Sequence, residues 1–99
     1  MRTISKTALR GFWEKHPDAE RVLRNWYKIT LKADWNDLAD VKKDFSHADQ
    51  VGGCIVFNIG GNKYRLITKI KFRHKIVYVR FVLTHAEYSR GKWKDDCSG

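Results

Sequence analysis

The sequence predicts an α+β domain, with N-terminal helices packed on one face of a small, mainly antiparallel β-sheet. Three observations lead there. Apolar residues recur at three- and four-residue spacing up to about residue 50, and at two-residue spacing beyond it. Hydrophobic residues make up 42% of a 99-residue chain, enough for one modest core. No repeat or Pro/Gly-rich linker divides the chain, so one domain is expected over residues 1–94, with a polar tail at 95–99.

The first half reads as helices. A short strand at Arg2-Thr3-Ile4 is weakly signalled. Ser5 is placed to cap a helix whose Ala8, Leu9, Phe12 and Trp13 share a face. Pro17, the one proline, blocks its continuation and suits the first turn of the next helix, with Asp18 and Glu20 at its positive end. Ala19, Val22, Leu23, Trp26 and Thr30 form that helix's apolar stripe. Asn36 or Asp34 would cap a third, short helix carrying Leu38, Val41 and Phe45. Trp13 and Trp26 read as packing between helices.

The second half reads as strands. Gly52-Gly53 opens it, and Cys54 to Ile59 is a β-rich run. Gly60-Gly61-Asn62 has hairpin-turn chemistry. From Tyr64 to Phe72 the residues alternate. Tyr64, Leu66, Ile70 and Phe72 fall on one face, and Arg65, Lys69, Lys71 and Arg73 on the other with Ile67. After a turn at Arg73-His74-Lys75, Ile76 to Leu83 forms a further strand. Val77, Val79, Phe81 and Leu83 are expected on one face, with Tyr78 and Arg80 on the other.

Charge is distributed unevenly. Residues 1–50 hold ten Lys/Arg and eight Asp/Glu, whereas residues 51–99 hold ten Lys/Arg and three Asp/Glu. Between Val51 and Lys94 the one acid is Glu87. Such segregation marks a polyanion site, the bland alternative being a basic face kept for solubility. A sheet face carrying Arg65, Lys69, Lys71, Arg73, Tyr78 and Arg80 suits RNA, because cations meet phosphates and a base can stack on tyrosine or arginine.

Several classes are disfavoured. No apolar run approaches the roughly 18–20 residues of a membrane span. The charged start, Met1 to Lys6, is followed by no apolar stretch, so no signal peptide is expected. Cys54, in an apolar run, and Cys97, in the polar tail, make no disulfide framework and lack zinc-site spacing, which favours a reducing cytoplasm. The histidines His16, His47, His74 and His85 are scattered and no carboxylates cluster with them, so neither a metal nor another cofactor is expected.

RNA can be cut without a metal, by attack of its own 2′-hydroxyl on the neighbouring phosphate. A protein then has to orient the sugar, hold the phosphoryl charge and move protons. Arginine suits the phosphate, while histidine, tyrosine or lysine suits the protons. In Thr84-His85-Ala86-Glu87-Tyr88, one helical turn would put His85 and Tyr88 on a common face. The structural alternatives are a capping histidine and a tyrosine that anchors the tail.

Val56-Phe57-Asn58-Ile59-Gly60-Gly61-Asn62-Lys63-Tyr64-Arg65-Leu66, followed by Arg80 to Tyr88, resembles the HigB family of type II toxins. The opening Ile4 to Leu9 and the stretch Trp13 to Ala19 also fit, so the resemblance runs to about Trp93. The paired F-N-x-G-G-N and T-H-x-E-Y blocks carry it. It implies a compact RelE-like fold and a ribosome-associated endoribonuclease cutting messenger RNA in the A site. It also implies a helix-turn-helix antitoxin partner of the HigA type, through which alone the chain would reach DNA. By position, Arg65, His85 and Tyr88 are the implied catalytic residues, with Lys63, Asn58 and Arg80 in support. Lys69, Lys71 and Arg73 fit sequence-independent phosphate contacts. RelE has lysines on the strand before the hairpin. Here that strand reads Val56-Phe57-Asn58, which leaves the general base unassigned. A noncatalytic RNA- or ribosome-binding module is the competing reading. A DNA-binding regulator lacks a basic recognition helix.

Overall fold

The computed structural model describes residues 1–98. Strand β1 (Arg2–Ile4) precedes α1 (Lys6–Lys15), which buries Leu9 and Trp13. Ser5 sits at the cap position, but in the left-handed region and with no side-chain capping bond, so its expected role is not realised. Pro17 has no N–H to continue α1 and starts a 3-10 turn over Pro17–Ala19 that runs into α2 (Glu20–Lys32). Helix α2 buries Leu23, Trp26 and Thr30, three of the five residues expected in its stripe. Asp37, rather than Asn36 or Asp34, caps α3 (Leu38–Asp44), its carboxylate accepting the Asp40 N–H at 3.0 Å.

The strands are β2 (Asp49–Val51), β3 (Cys54–Ile59), β4 (Tyr64–Lys71) and β5 (Ile76–Thr84). They form one five-stranded sheet in the order β1-β5-β4-β3-β2, with β1 parallel to β5 and the other pairs antiparallel. Strand β2, three largely exposed residues, carries no alternation that a sequence pattern could reveal. Gly60 and Gly61 both adopt positive φ, so the β3–β4 turn is built as their sequence suggests.

Two expectations about faces are corrected. Strand β4 ends at Lys71, and Phe72–His74 form a 3-10 turn, so Arg73 leaves the cation row. The ladder also slips between Ile67, opposite Phe81, and Thr68, opposite Val79, which leaves Arg80 as an extra residue in β5. A bulge inverts the alternation beyond it. Val77 and Val79 therefore join the main core against the helices, while Phe81 and Leu83 pack on the opposite side.

That opposite side holds a second, smaller core. Its buried members are Cys54, Val56, Ile67, Trp93 and Cys97, with Phe81, Leu83 and Tyr88 packed against them. Two short helices after β5, α4 (His85–Arg90) and α5 (Lys94–Cys97), provide its cover. The expectation of two idle thiols, one in a polar tail, is overturned here, and with it the cysteine argument for a reducing cytoplasm. Cys97 is buried and forms a disulfide with Cys54 across 43 residues of sequence. The close approach is visible at Gly52: a Cβ there would lie 2.3 Å from the Cys97 carbonyl oxygen. No helix among the described residues is long and apolar enough to cross a membrane.

Candidate functional site

Arg65 and Asn58 are opposite partners in the β3–β4 ladder, and Arg65 faces Leu83 of β5 on its other side. This face points away from the main helices. Arg65 is only 9% exposed, which is unusual for a permanently charged group. Its guanidinium donates to the Tyr64 carbonyl at 3.1 Å and to Asn62 Oδ1 at 3.3 Å. It also lies over the Tyr88 ring, 5.1 Å from the centroid. Among the described residues no carboxylate is within ion-pair distance of it. A largely desolvated cation held by neutral groups retains its attraction for an anion.

The T-H-x-E-Y block divides into scaffold and site. Thr84 and Glu87 form a reciprocal capping box at the start of α4: the Thr84 N–H donates to Glu87 Oε1 at 2.9 Å and the Glu87 N–H donates to Thr84 Oγ1 at 3.2 Å. The bond from the Thr84 backbone, aided by Arg90 and His16, holds the Glu87 carboxyl below its ordinary range. His85 and Tyr88 are the members the capping box does not use. The His85 N–H donates to the Lys63 carbonyl at 3.2 Å, which ties the start of α4 to the turn before β4. Its imidazole is exposed, with Nδ1 3.4 Å from Ser89 Oγ, leaving Nε2 for a ligand. Tyr88 is half-buried between the sheet and the chain that follows it.

The other expected cations do not all stand open. The ammonium of Lys63 is paired with Asp18, which also accepts the Tyr64 hydroxyl at 2.7 Å. The bonds from Lys63 and Tyr64 hold Asp18 below its ordinary range, and the Asp18 carboxylate holds Lys63 above its own. Arg80 is bound in a fork by Asp96 at 2.8 and 2.9 Å, and Lys69 approaches the same carboxylate at 3.9 Å. Lys71 and Tyr78 remain on the sheet face, with Tyr78 opposite Lys69. At ~3.3 Å per residue, Arg65 and Lys71 are ~20 Å apart along β4. The second core, with Ile67 beneath Trp93 and Cys97, lies between them. One continuous basic face is thus resolved into a recessed arginine site and a separate cationic edge.

Sequence reasoning missed Asp18, Asp96, Arg90, Lys92 and Trp93. A shallow cavity of about 250 Å³ beside the site is lined by Phe81, Leu83, Glu87, Arg90, Lys92 and Trp93. The run Arg90-Gly91-Lys92-Trp93-Lys94, an aromatic between cations, was the available signal.

Asp96 provides a test of the masked edge. Asp96→Asn should tighten RNA binding and steepen its salt dependence, by up to about two phosphate contacts at a slope of roughly −0.7 each for single strands. Arg80 holds the Asp96 carboxyl below the ordinary 3.8 of an aspartate. Masking therefore persists from neutral pH down past that value and is lost as pH falls through the depressed pKa. Filter binding should show the wild type weaker than Asp96→Asn at neutral pH, the two converging only in strong acid. Equal affinities at neutral pH would show that Asp96 masks nothing.

The chain is similar to known proteins over most of its length. Residues 19–91 match the family model described as HigB_toxin, RelE-like toxic component of a toxin-antitoxin system. The chain is 30% identical over 91 residues to the mRNA interferase toxin HigB of Escherichia coli strain K12, covering 89% of this chain and 88% of that protein. It is 27% identical over 93 residues to the mRNA interferase HigB of Escherichia coli O6:H1, covering 91% and 90%. The mRNA interferase HigB of Shigella flexneri is 30% identical over 91 residues, covering 89% and 88%.

Proposed function

Because the chain belongs to the HigB family of RelE-like toxins, we propose that it is an endoribonuclease that cleaves messenger RNA and so arrests translation and growth. The observation that carries this reading is Arg65, recessed, without a carboxylate partner among the described residues, and against the Tyr88 ring of α4. The reaction is attack by the 2′-oxygen on the adjacent phosphorus. The 2′-O–P bond forms and the P–O5′ bond breaks, giving a 2′,3′-cyclic phosphate and a 5′-hydroxyl. Arg65 neutralises charge on the non-bridging oxygens. His85 and Tyr88 take the 2′-hydroxyl proton and return one to the departing 5′-oxygen. Asn58, opposite Arg65, supports the phosphate. Lys63 enters only if substrate displaces it from Asp18. Glu87, the nearest acid in sequence, is engaged in capping α4, and the reaction is assigned no metal.

Lys71 and Tyr78, with Lys69 and Arg80 when Asp96 releases them, hold the flanking RNA or the ribosome. Arg73, in its own turn, adds a peripheral contact. Cleavage takes place in the ribosomal A site, hence in the cytoplasm. The inhibitor is a helix-turn-helix antitoxin of the HigA type, and DNA is met only through it. A noncatalytic RNA-binding module would use the same cationic edge, but would have no need of a recessed arginine stacked on a tyrosine. Mapping messenger ends after induction separates the two readings. New internal ends that are absent with His85→Ala support cleavage, and growth arrest without new ends supports binding alone.

A further inference from the structure

The chain beyond Tyr88 is more elaborately fastened than a tail needs to be. Trp93 is 4% exposed, and its indole stacks on the Tyr88 ring at 4.9 Å between centroids, with 14° between the planes. Its Nε1–H donates to the Tyr88 carbonyl at 2.9 Å. Tyr88 in turn carries the Arg65 guanidinium. Four residues after Trp93, Cys97 is bonded to Cys54 at the start of β3, and its carbonyl accepts the Gly53 N–H at 2.6 Å. A continuous series of contacts therefore runs from the disulfide through Trp93 and Tyr88 to Arg65.

With Arg65 and Tyr88 taken as the cleavage site, we infer that Trp93 is a positioning residue, and that the Cys54–Cys97 bond is the tie that keeps it in place. Trp93 touches no substrate. It sets the Tyr88 ring by a planar stack and a backbone hydrogen bond, two constraints that together fix the ring's tilt and depth. Tyr88 then fixes the approach of the Arg65 guanidinium. Without Trp93, Tyr88 loses the stack on one face and keeps its contact with Arg65 and its attachment through a helix of six residues. Displacements of about 1 Å at a reacting centre can cost up to roughly a hundredfold in rate. A loosened Tyr88 should therefore lower turnover more than it lowers affinity, which the cationic edge supplies. Opening the disulfide, by two electrons and two protons from a dithiol that is itself oxidised to a disulfide, should have the same effect.

The test compares wild type, Trp93→Phe, Trp93→Ala and dithiothreitol-reduced wild type at 25 °C, with circular dichroism to follow the fold. Cleavage of a defined message in a purified translation system gives kcat and KM. NMR gives the shift of the Arg65 Nε–H, which the Tyr88 ring current moves from its ordinary position. Trp93→Ala and reduction are expected to lower kcat by about tenfold with KM within about twofold, and to return the Arg65 resonance to its ordinary position. Trp93→Phe, which keeps a ring but loses the N–H donor, should recover most of both. Unchanged kcat and an unmoved Arg65 resonance in folded Trp93→Ala or reduced protein would overturn the assignment. Equal losses in kcat and affinity that Trp93→Phe does not rescue would also overturn it. If Trp93→Ala does not fold, the reduced protein and Trp93→Phe decide. If the wild type itself cleaves nothing, the nuclease reading fails, while the Arg65 resonance still decides whether Trp93 positions the stack.

Discussion

Arg65→Ala is expected to lower messenger cleavage by about 10²–10³-fold, the range seen when one donor that stabilises a developing oxyanion is removed. Expression of the variant should then no longer arrest growth. The size of the effect follows from the setting. Arg65 is buried, has no carboxylate partner among the described residues, and is held by Asn62, the Tyr64 carbonyl and the Tyr88 ring. Arg65→Lys keeps the charge but loses the planar fork, so it should be intermediate rather than silent. Binding of RNA should fall much less, because Lys71 lies ~20 Å further along the sheet and Tyr78, opposite Lys69, ~13 Å. A folded Arg65→Ala protein that still cleaves at the wild-type rate would remove this residue from the site.

Loss of the Cys54–Cys97 bond is expected to cost about 4 kcal/mol of stability, from the closure entropy of a loop of this size. The link spans 43 residues, from β3 to α5. For a domain this small, the melting temperature should fall by at least about 15 °C. The cost is not expected to unfold the protein at 25 °C, because the main core owes nothing to the bond. Leu9, Leu23, Trp26, Trp35, Phe57 and Leu66 pack on the other side of the sheet. Thermal melts of oxidised and reduced protein give the difference. Coincident melts would show that the second core holds α5 without its covalent tie.

Much of the fold was legible in local pattern. The change of period near residue 50 separates the helices from the β3–β4–β5 meander. The Gly60-Gly61 turn and the limits of β3 follow from turn chemistry and β-rich composition. What escaped depended on three-dimensional neighbours. The bulge at Arg80 is a property of two paired strands, and it moved Phe81 and Leu83 to the face opposite the one a strict two-residue count gives. The disulfide could not be read from spacing, because its partners meet only after the chain has crossed the sheet. Trp35 lies outside any helix or strand. It is buried by stacking near Phe57 and by donating its Nε1–H to Asp44 at 2.8 Å.

The site shows the same division. Net charge located the basic half correctly but counted every cation as available. Asp18 and Asp96, far from Lys63 and Arg80 in sequence, pair with them in space. Arg65 stands apart because it is buried with no acid among the described residues to pair it, a fact about neighbours rather than about composition. In T-H-x-E-Y the sequence pointed to His85 and Tyr88. Only the hydrogen bonds reveal that Thr84 and Glu87 serve to cap the helix that presents them.

The chemical identity of the RNA ends tests the central claim most directly. Fragments produced by the purified protein in a translation system should carry a 2′,3′-cyclic phosphate on one side of the cut and a 5′-hydroxyl on the other, because the attacking oxygen belongs to the RNA. Fragments carrying a 3′-hydroxyl and a 5′-phosphate would mean that water, not the neighbouring 2′-hydroxyl, is the nucleophile, and would contradict the account.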